Sequence, residues 1–169
     1  MNYGKFLLTK LREEKGEQRS IDSTAAGRYF QHKDDTFLLQ VRYASAEKMG
    51  VMLDYLAVSR QGAEIPTAEV NDRLDAQAVA IQEKVTFLLE EFKLIELDKQ
   101  NKRAQLRSYP PYTEADARYY YEIMLDEGVK VHFQRYQYVI NDKRYEKITS
   151  QLTPETFERL VNIFTRLLD

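Results

Sequence analysis

The side chains that most often carry out chemistry are scarce and scattered in this sequence. Among its 169 residues are two histidines, His32 and His132, and no cysteine. Without cysteine, disulfides and thiolate metal ligands are excluded. The histidines lie far apart in the chain, each within a predicted strand, so we expect structural roles for both. The sequence therefore indicates neither a metal site nor a histidine-based catalytic centre.

Carboxylates and glycines give no stronger sign of catalysis. The adjacent pairs Asp34–Asp35 and Glu90–Glu91 fall in a predicted turn and at a predicted helix end. Neighbours in sequence do not make a general acid–base pair, and solvation explains them. The six glycines are scattered and form no phosphate-binding loop. We predict a protein that is not an enzyme and holds no cofactor.

Composition places the chain among ordinary globular proteins. Hydrophobic residues make up 43% and charged residues 31%, with a net charge of −2. No apolar run approaches the roughly 18 residues of a membrane span, and Phe6–Leu8 is too short for a signal peptide. These features predict a cytoplasmic protein that makes no membrane contact. A dedicated nucleic-acid binder is usually basic, so the net charge gives DNA binding no support.

Hydrophobic periodicity divides the chain into three predicted units, 1–44, 45–109 and 112–169, with the pair Pro110–Pro111 as the clearest boundary. The first unit is predicted to contain a helix over 2–15 ended by Gly16, a loop over 17–24, and strands over 28–33 and 36–43. The second is predicted to contain a helix over 46–59, an extended piece over 63–65, helices over 67–74 and 76–92, and a hairpin of 94–98 with 103–109.

The middle unit resembles the winged-helix superfamily. Three segments carry the resemblance, Met52–Leu56, Ile65–Val70 and Phe87–Leu97, and the similar region covers residues 46–109. The resemblance implies a winged helix (helix, strand, helix, helix, hairpin) for these residues. With the flanking β-hairpins and the N- and C-terminal helices predicted from the sequence pattern, the expected fold class is α+β. In such proteins the third helix enters the major groove of DNA and the wing touches phosphate.

This resemblance implies two sets of DNA-contacting residues. The wing would hold phosphates with Lys99, Lys102, Arg103 and Arg107, four bases with no acid between them. Gln77 and Lys84, at the flanks of the third helix, could contact bases. A solvated basic turn is the alternative interpretation of the wing.

The outward face of the third helix favours a protein partner over DNA. It carries Val79, Glu83 and Phe87, where a groove-reading helix would present Arg, Lys, Asn or Gln. Residues 66–98 hold eight acids and three bases, a balance of −5. Winged helices also serve as assembly modules, including the subunits of chromosome-organising complexes that bind a kleisin chain. We therefore expect an accessory or regulatory subunit of a DNA-associated assembly; the alternative is a transcriptional regulator that binds duplex DNA.

The last unit leaves more alternatives open. Residues 119–125 and 129–133 alternate like a strand pair, although a helix capped by Thr113 competes for the first stretch. Residues 136–148 are predicted to be extended. Eight of the twelve tyrosines lie between 109 and 145, among several bases. They could stack single-stranded bases, form a protein interface, or line a sheet with solvated tips.

Thr153 and Pro154 predict the start of a terminal helix over 154–168. Its apolar residues, including Phe157 and Phe164, cover an arc wider than one packing contact normally uses. We expect these residues to contact a protein partner or a second copy of the chain. A deep seat in the chain's own core is the alternative.

Overall fold

The computed structural model describes residues 1–13, 17–22 and 25–169, which form an antiparallel sheet with helices packed on one of its faces. The helices are α1 (Tyr3–Glu13), α2 (Val70–Lys84, preceded by a 3-10 turn at Thr67–Glu69) and α3 (Pro154–Leu168). The strands are β1 (Glu17–Asp22), β2 (Ala25–Lys33), β3 (Phe37–Glu47), β4 (Gly50–Arg60), β5 (Glu91–Asp98), β6 (Arg103–Tyr109), β7 (Tyr112–Glu114), β8 (Ala117–Asp126), β9 (Lys130–Val139), β10 (Arg144–Ile148) and β11 (Ser150–Leu152).

The main path through the sheet runs β1-β2-β3-β4-β9-β8-β6-β5. At its centre, β4 and β9 pair only through residues 56–59 and 130–133. Beyond these pairs the two strands separate, and the gap is filled by β10, which pairs with β9, and β11, which pairs with β4. Strands from all three predicted units therefore share one sheet.

The core lies between the sheet and the helices. On β3, Phe37, Leu39, Val41 and Tyr43 are all buried, as the alternation of a half-covered strand requires. Opposite them, α3 buries a wide apolar surface because it contacts both β4 and α1. A Cβ atom on Gly4 would lie 2.8 Å from the Glu158 Cα, so only glycine allows α1 and α3 to approach this closely.

The winged-helix prediction is wrong. The segment predicted as a helix over 46–59 forms the end of β3 and nearly all of β4. The two predicted helices over 67–74 and 76–92 are a single helix, α2, which ends at Lys84. The order helix, strand, helix, helix, hairpin is therefore absent from residues 46–109. These residues form the end of β3, the strands β4, β5 and β6 of the large sheet, and the helix α2.

Several local predictions are confirmed. Strands β5 and β6 form the hairpin predicted around residues 99–102, and residues 117–126 are the strand β8 rather than a helix. The terminal helix begins as predicted, with the Thr153 hydroxyl accepting a hydrogen bond from the Thr156 backbone N–H. Residues 17–22 of the predicted loop over 17–24 instead form the strand β1. Residues 23 and 24 of that loop, and the predicted helix stop at residue 16, lie outside the described residues.

Across the described parts of the chain, none of the helices has the length and apolar character needed to cross a membrane.

Candidate interaction surface

Exposed apolar side chains gather where two loops meet at one end of the sheet. The loop over 85–90 joins α2 to β5, and residues 110–111 join β6 to β7. Together with side chains from β8 and β9 they enclose a pocket of about 390 Å³. We call this region the proline corner; it is lined by Leu88, Leu89, Glu90, Pro110, Pro111, Tyr112, Tyr121 and Arg135.

Leu89 is the most unusual residue of the proline corner. Its side chain is fully exposed, and its φ angle of 65° lies in the left-handed region. For a residue with a Cβ atom that conformation costs about 1–2 kcal/mol. Leu89 thus carries backbone strain and gains nothing from burial within its own chain. Strained, exposed residues of this kind are concentrated at binding sites.

Aromatic residues flank Leu89. Tyr109 and Tyr112 are each about half exposed, at 52% and 56%. The Lys93 ammonium lies 4.3 Å from the centre of the Tyr109 ring. Tyr112 packs beside Tyr119 with their ring centres 5.9 Å apart. Such half-exposed tyrosines beside cations are typical of surfaces that bind other molecules.

The inner wall of the pocket is polar. Tyr121 and Arg135 lie opposite each other on β8 and β9, and the guanidinium carbon is 4.2 Å from the centre of the Tyr121 ring. Burial raises the pKa of Tyr121; the Arg135 charge lowers that pKa and the Glu90 charge raises it. Both charged groups therefore lie close enough to act on the Tyr121 hydroxyl.

The other face of β8 and β9 carries a second group of aromatic residues, here called the tyrosine face: Tyr120, Tyr136, Tyr138 and Tyr145, with Arg107. The rings of Tyr120 and Tyr136 are stacked, with centres 5.6 Å apart and planes 14° apart. From the neighbouring strand β6, the Arg107 guanidinium carbon lies 4.4 Å from the Tyr120 ring centre. Tyr120 is almost fully buried, so its ring has no free side on which a nucleic-acid base could stack.

Polar groups on the tyrosine face pair with one another. The Gln105 side-chain amide donates to Glu122 at 2.8 Å, and Arg107 lies 3.8 Å from the same carboxylate. The Tyr136 hydroxyl donates to the Gln134 side-chain oxygen at 2.5 Å. Burial raises the pKa of Tyr136 to about 12, so the phenol stays neutral. On the tyrosine face, the Glu122 carboxylate and the Tyr136 hydroxyl thus have partners within the chain, whereas the Arg107 Nε atom has none among the described residues.

Two of the four predicted wing bases have acidic partners. Arg103 lies 3.4 Å from Asp126, and Arg107 pairs with Glu122. Lys99 is exposed and Lys102 partly exposed in the β5–β6 turn. The hairpin therefore does not present its four bases together as a free cationic cluster.

The two residues predicted to contact bases, Gln77 and Lys84, lie in different environments. Gln77 is buried, and its side-chain amide donates to the Gly128 carbonyl at 3.0 Å and the Leu167 carbonyl at 3.4 Å. It links α2 to the β8–β9 turn and to α3, and cannot reach a partner. Lys84 is exposed at the last turn of α2.

Of the residues predicted to form a protein interface, some are exposed and others are buried within the chain. Val79 is 48% exposed and Glu83 is exposed, while Phe87 is partly buried beneath the Arg159 guanidinium, 4.9 Å away. Phe157 and Phe164 are fully buried within the chain. Their place on α3 matches the alternative of a deep core seat, because α3 is covered on two sides.

Sequence reasoning missed Leu89, Tyr121 and Arg135 as a group. In the sequence, Leu89 continues the apolar stripe of the helix predicted over 76–92, and that pattern predicts a core position for it. Only Pro110–Pro111, with a tyrosine on either side, marked this region in the sequence.

Within the described residues, no group of histidine, aspartate or glutamate side chains is arranged to hold a metal ion. In comparisons with protein-family models, curated proteins and solved structures, none matches this chain significantly.

Proposed function

We propose that this is a non-enzymatic protein that acts by binding another protein through the proline corner, with Leu89 as the anchor that enters the partner. The observation that carries the proposal is the fully exposed Leu89 side chain on a left-handed backbone. Burial in a partner would recover about 1.5–3 kcal/mol for one leucine side chain. This gain equals or exceeds most of the range of about 1–2 kcal/mol for the strained backbone.

The residues around Leu89 fit a protein interface. Tyrosine and arginine dominate the binding energy of such interfaces, and the proline corner offers Tyr112, Tyr121 and Arg135. The adjoining edge strand β5 adds Leu94 and Ile95, which are 36% and 49% exposed. A set of exposed apolar residues with aromatic and cationic neighbours is typical of a contact surface.

The link to a DNA-associated assembly stays a prediction. The pairing of Arg103 and Arg107 with acids reduces the charge available for phosphate. A contact between proteins needs neither of these bases.

A photo-crosslinking residue tests this proposal in cells. Placed at position 89, it should give a covalent adduct with a specific protein. Placed at Met49, which is 85% exposed in the β3–β4 turn, it should not give the same adduct. An adduct of twice the 20.0 kDa chain mass would identify a second copy as the partner.

Leu89→Asn is the matched loss-of-binding variant. Asparagine tolerates the left-handed conformation, so the variant should fold at least as stably as the parent chain. It should also fail to compete with the parent for the crosslinked partner. Identical adducts from positions 89 and 49, or full competition by Leu89→Asn, would contradict the proposal.

A further inference from the structure

The strand β5 forms one edge of the sheet and is exposed on both of its faces. Among the described strands it pairs only with β6, so the backbone N–H and C=O groups on its other side have no strand beside them. Residues 93–96 are all exposed, although neighbouring residues of a strand point to opposite faces. The helices therefore leave this edge open, and an open edge can pair with a strand of another chain.

The apolar side chains of this edge favour such pairing. Sheets normally protect an exposed edge with charged residues or proline. Here Leu94 and Ile95 follow each other at 36% and 49% exposure, and Leu89 precedes the strand by two residues. A bulge interrupts the pairing of β5 with β6 between Leu94 and Glu96, so residues 91–94 are the regular first part of the strand. A partner strand therefore finds a short regular edge directly beside Leu89.

We propose that β5 pairs antiparallel with β5 of a second copy of this chain, so that one sheet runs through a symmetric dimer. This inference rests on the proposed function, because it names the partner that Leu89 contacts. Two identical antiparallel strands are related by a twofold axis perpendicular to the sheet, and the residue at that axis faces itself. The choice of this residue fixes every other pair across the interface.

Charge selects Phe92 as the residue at the axis. Each residue then faces the one equally far on the other side of Phe92, so Glu91 of each copy lies opposite Lys93 of the other. Both side chains are exposed, and opposite charges in this position stabilise neighbouring strands. An axis at Glu91 or at Lys93 would place like charges opposite each other. An axis at Leu94 would extend the pairing into the bulge.

The same register gives the exposed apolar residues a partner. Leu89 lies three residues before Phe92 and Ile95 lies three residues after it, so Leu89 of each copy approaches Ile95 of the other. Leu89 is fully exposed in the single chain and Ile95 about half exposed, and their contact removes apolar surface from water. The patch is therefore complementary to itself in charge and in hydrophobicity, as a twofold interface requires.

Sedimentation equilibrium of the purified chain measures the dimer. We expect the mass to rise from 20.0 kDa toward twice that value, with a dissociation constant of about 1–100 µM, typical of a small interface. A mass that stays at 20.0 kDa up to about 1 mM chain would overturn the proposal.

Exchange of the two charges tests the register. Glu91→Lys and Lys93→Glu should each weaken the dimer at least about tenfold, because each places like charges opposite one another twice. The double variant restores both pairs with their charges exchanged, so its dissociation constant should return to within about threefold of the parent value. Glu64→Lys makes the same charge change at an exposed residue between β4 and the 3-10 turn and should have no effect. Unchanged dimers in both single variants, or no recovery in the double variant, would refute the register.

Introduced cysteines test the register independently of charge. The chain contains no cysteine, so an added thiol is unique. In the proposed register the Cα atoms of positions 91 and 93 in different copies lie about 5 Å apart, within reach of a disulfide, whereas the two copies of position 91 lie about 8 Å apart. A mixture of Glu91→Cys and Lys93→Cys should therefore form mainly the mixed disulfide on mild oxidation, as measured by mass spectrometry. Predominance of a symmetric disulfide would contradict the register.

The strand pairing and the proposed function fail separately. A chain that remains monomeric but gives an adduct with another protein at position 89 would exclude a second copy as the partner and leave the proposed function intact. A dimer that follows the charge exchange but gives no adduct at position 89 would count against the proposed function and leave the strand pairing intact.

Discussion

The His132 side chain should make the protein less stable as the pH falls from 7.5 to 4. His132 lies on β9 between Ala57 of β4 and Met124 of β8, and its ring centre is 5.6 Å from that of Tyr55. Burial, reinforced by the charge of Lys130, lowers its pKa from 6.5 to about 4. The Nδ1 atom has no hydrogen-bond partner among the described residues.

The direction and the size of this loss of stability follow from the difference between the pKa values of His132 in the unfolded and folded chain. The unfolded chain takes up a proton near pH 6.5 and the folded chain only near pH 4, so the unfolded state binds more protons between these values. Stability from this group is therefore complete above pH 7 and is lost as the pH falls. With these two pKa values, the loss is about 2 kcal/mol at pH 5 and about 3 kcal/mol at pH 4.

Urea unfolding of the parent chain and His132→Gln, followed by circular dichroism at pH 7.5, 6, 5 and 4, measures this loss. Titration of the carboxylates is common to both proteins and cancels in the difference between their free energies of unfolding. That difference should shift by about 2 kcal/mol in favour of the variant between pH 7.5 and 5. Gln134→Asn, on the same strand, adds no titrating group, so its cost should not change with pH. A difference for His132→Gln that stays constant within about 0.5 kcal/mol would refute the reasoning.

Four further outcomes can be checked with the purified chain. Gly4→Ala should lower the free energy of unfolding by about 1–3 kcal/mol, because its Cβ would overlap the Glu158 backbone; unchanged urea unfolding would contradict this packing. Thr153→Ala should cost about 1 kcal/mol through loss of the α3 cap, measured by thermal unfolding. Leu89→Asn should raise stability by about 0.5–1 kcal/mol by relieving left-handed strain, and a loss of stability would argue against that strain. Duplex DNA, titrated by fluorescence anisotropy near physiological salt, should bind more weakly than about 1 µM; tighter, sequence-specific binding would restore the DNA-regulator alternative.

The error over residues 46–59 has a specific structural cause. In the pairing of β3 with β4, Tyr55 lies opposite Arg42 and Leu53 opposite Tyr43, so Asp54 is an extra residue without a partner. This bulge puts Leu53 and Leu56, three positions apart, on the same buried face. Apolar residues three apart are also the mark of a helix. The bulge therefore gives a strand the same spacing of apolar residues as a helix, and periodicity alone cannot distinguish the bulged strand from a helix.

The end of α2 was unpredictable for a different reason. No glycine or proline occurs between Val85 and Phe92, and the apolar stripe continues through Leu88 and Leu89. The chain nevertheless leaves the helix at Val85, and Leu88 and Phe92 reach the core from non-helical backbone. Their burial was predictable from hydrophobicity, whereas no residue type in this segment marks the left-handed backbone at Leu89 that turns its side chain outward.

The candidate site required the tertiary structure. Residues 88–90, 110–112, 121 and 135 meet only because β8 pairs with β9 and because the two loops open at the same end of the sheet. The sequence placed tyrosines and bases on β8 and β9, but it could not show which would pack together and which would line a pocket.

The separation of β4 from β9 also affects how the chain folds. The gap between them is closed by residues 144–152, and the first helix packs on the last one through Gly4 and Glu158. Until residues 144–152 pair with β9 and β4, both strands have edges that nothing covers. Such contacts between distant parts of a chain form slowly. Folding therefore passes through a period in which these edges can pair with another chain, and that period ends when β10 and β11 fill the gap.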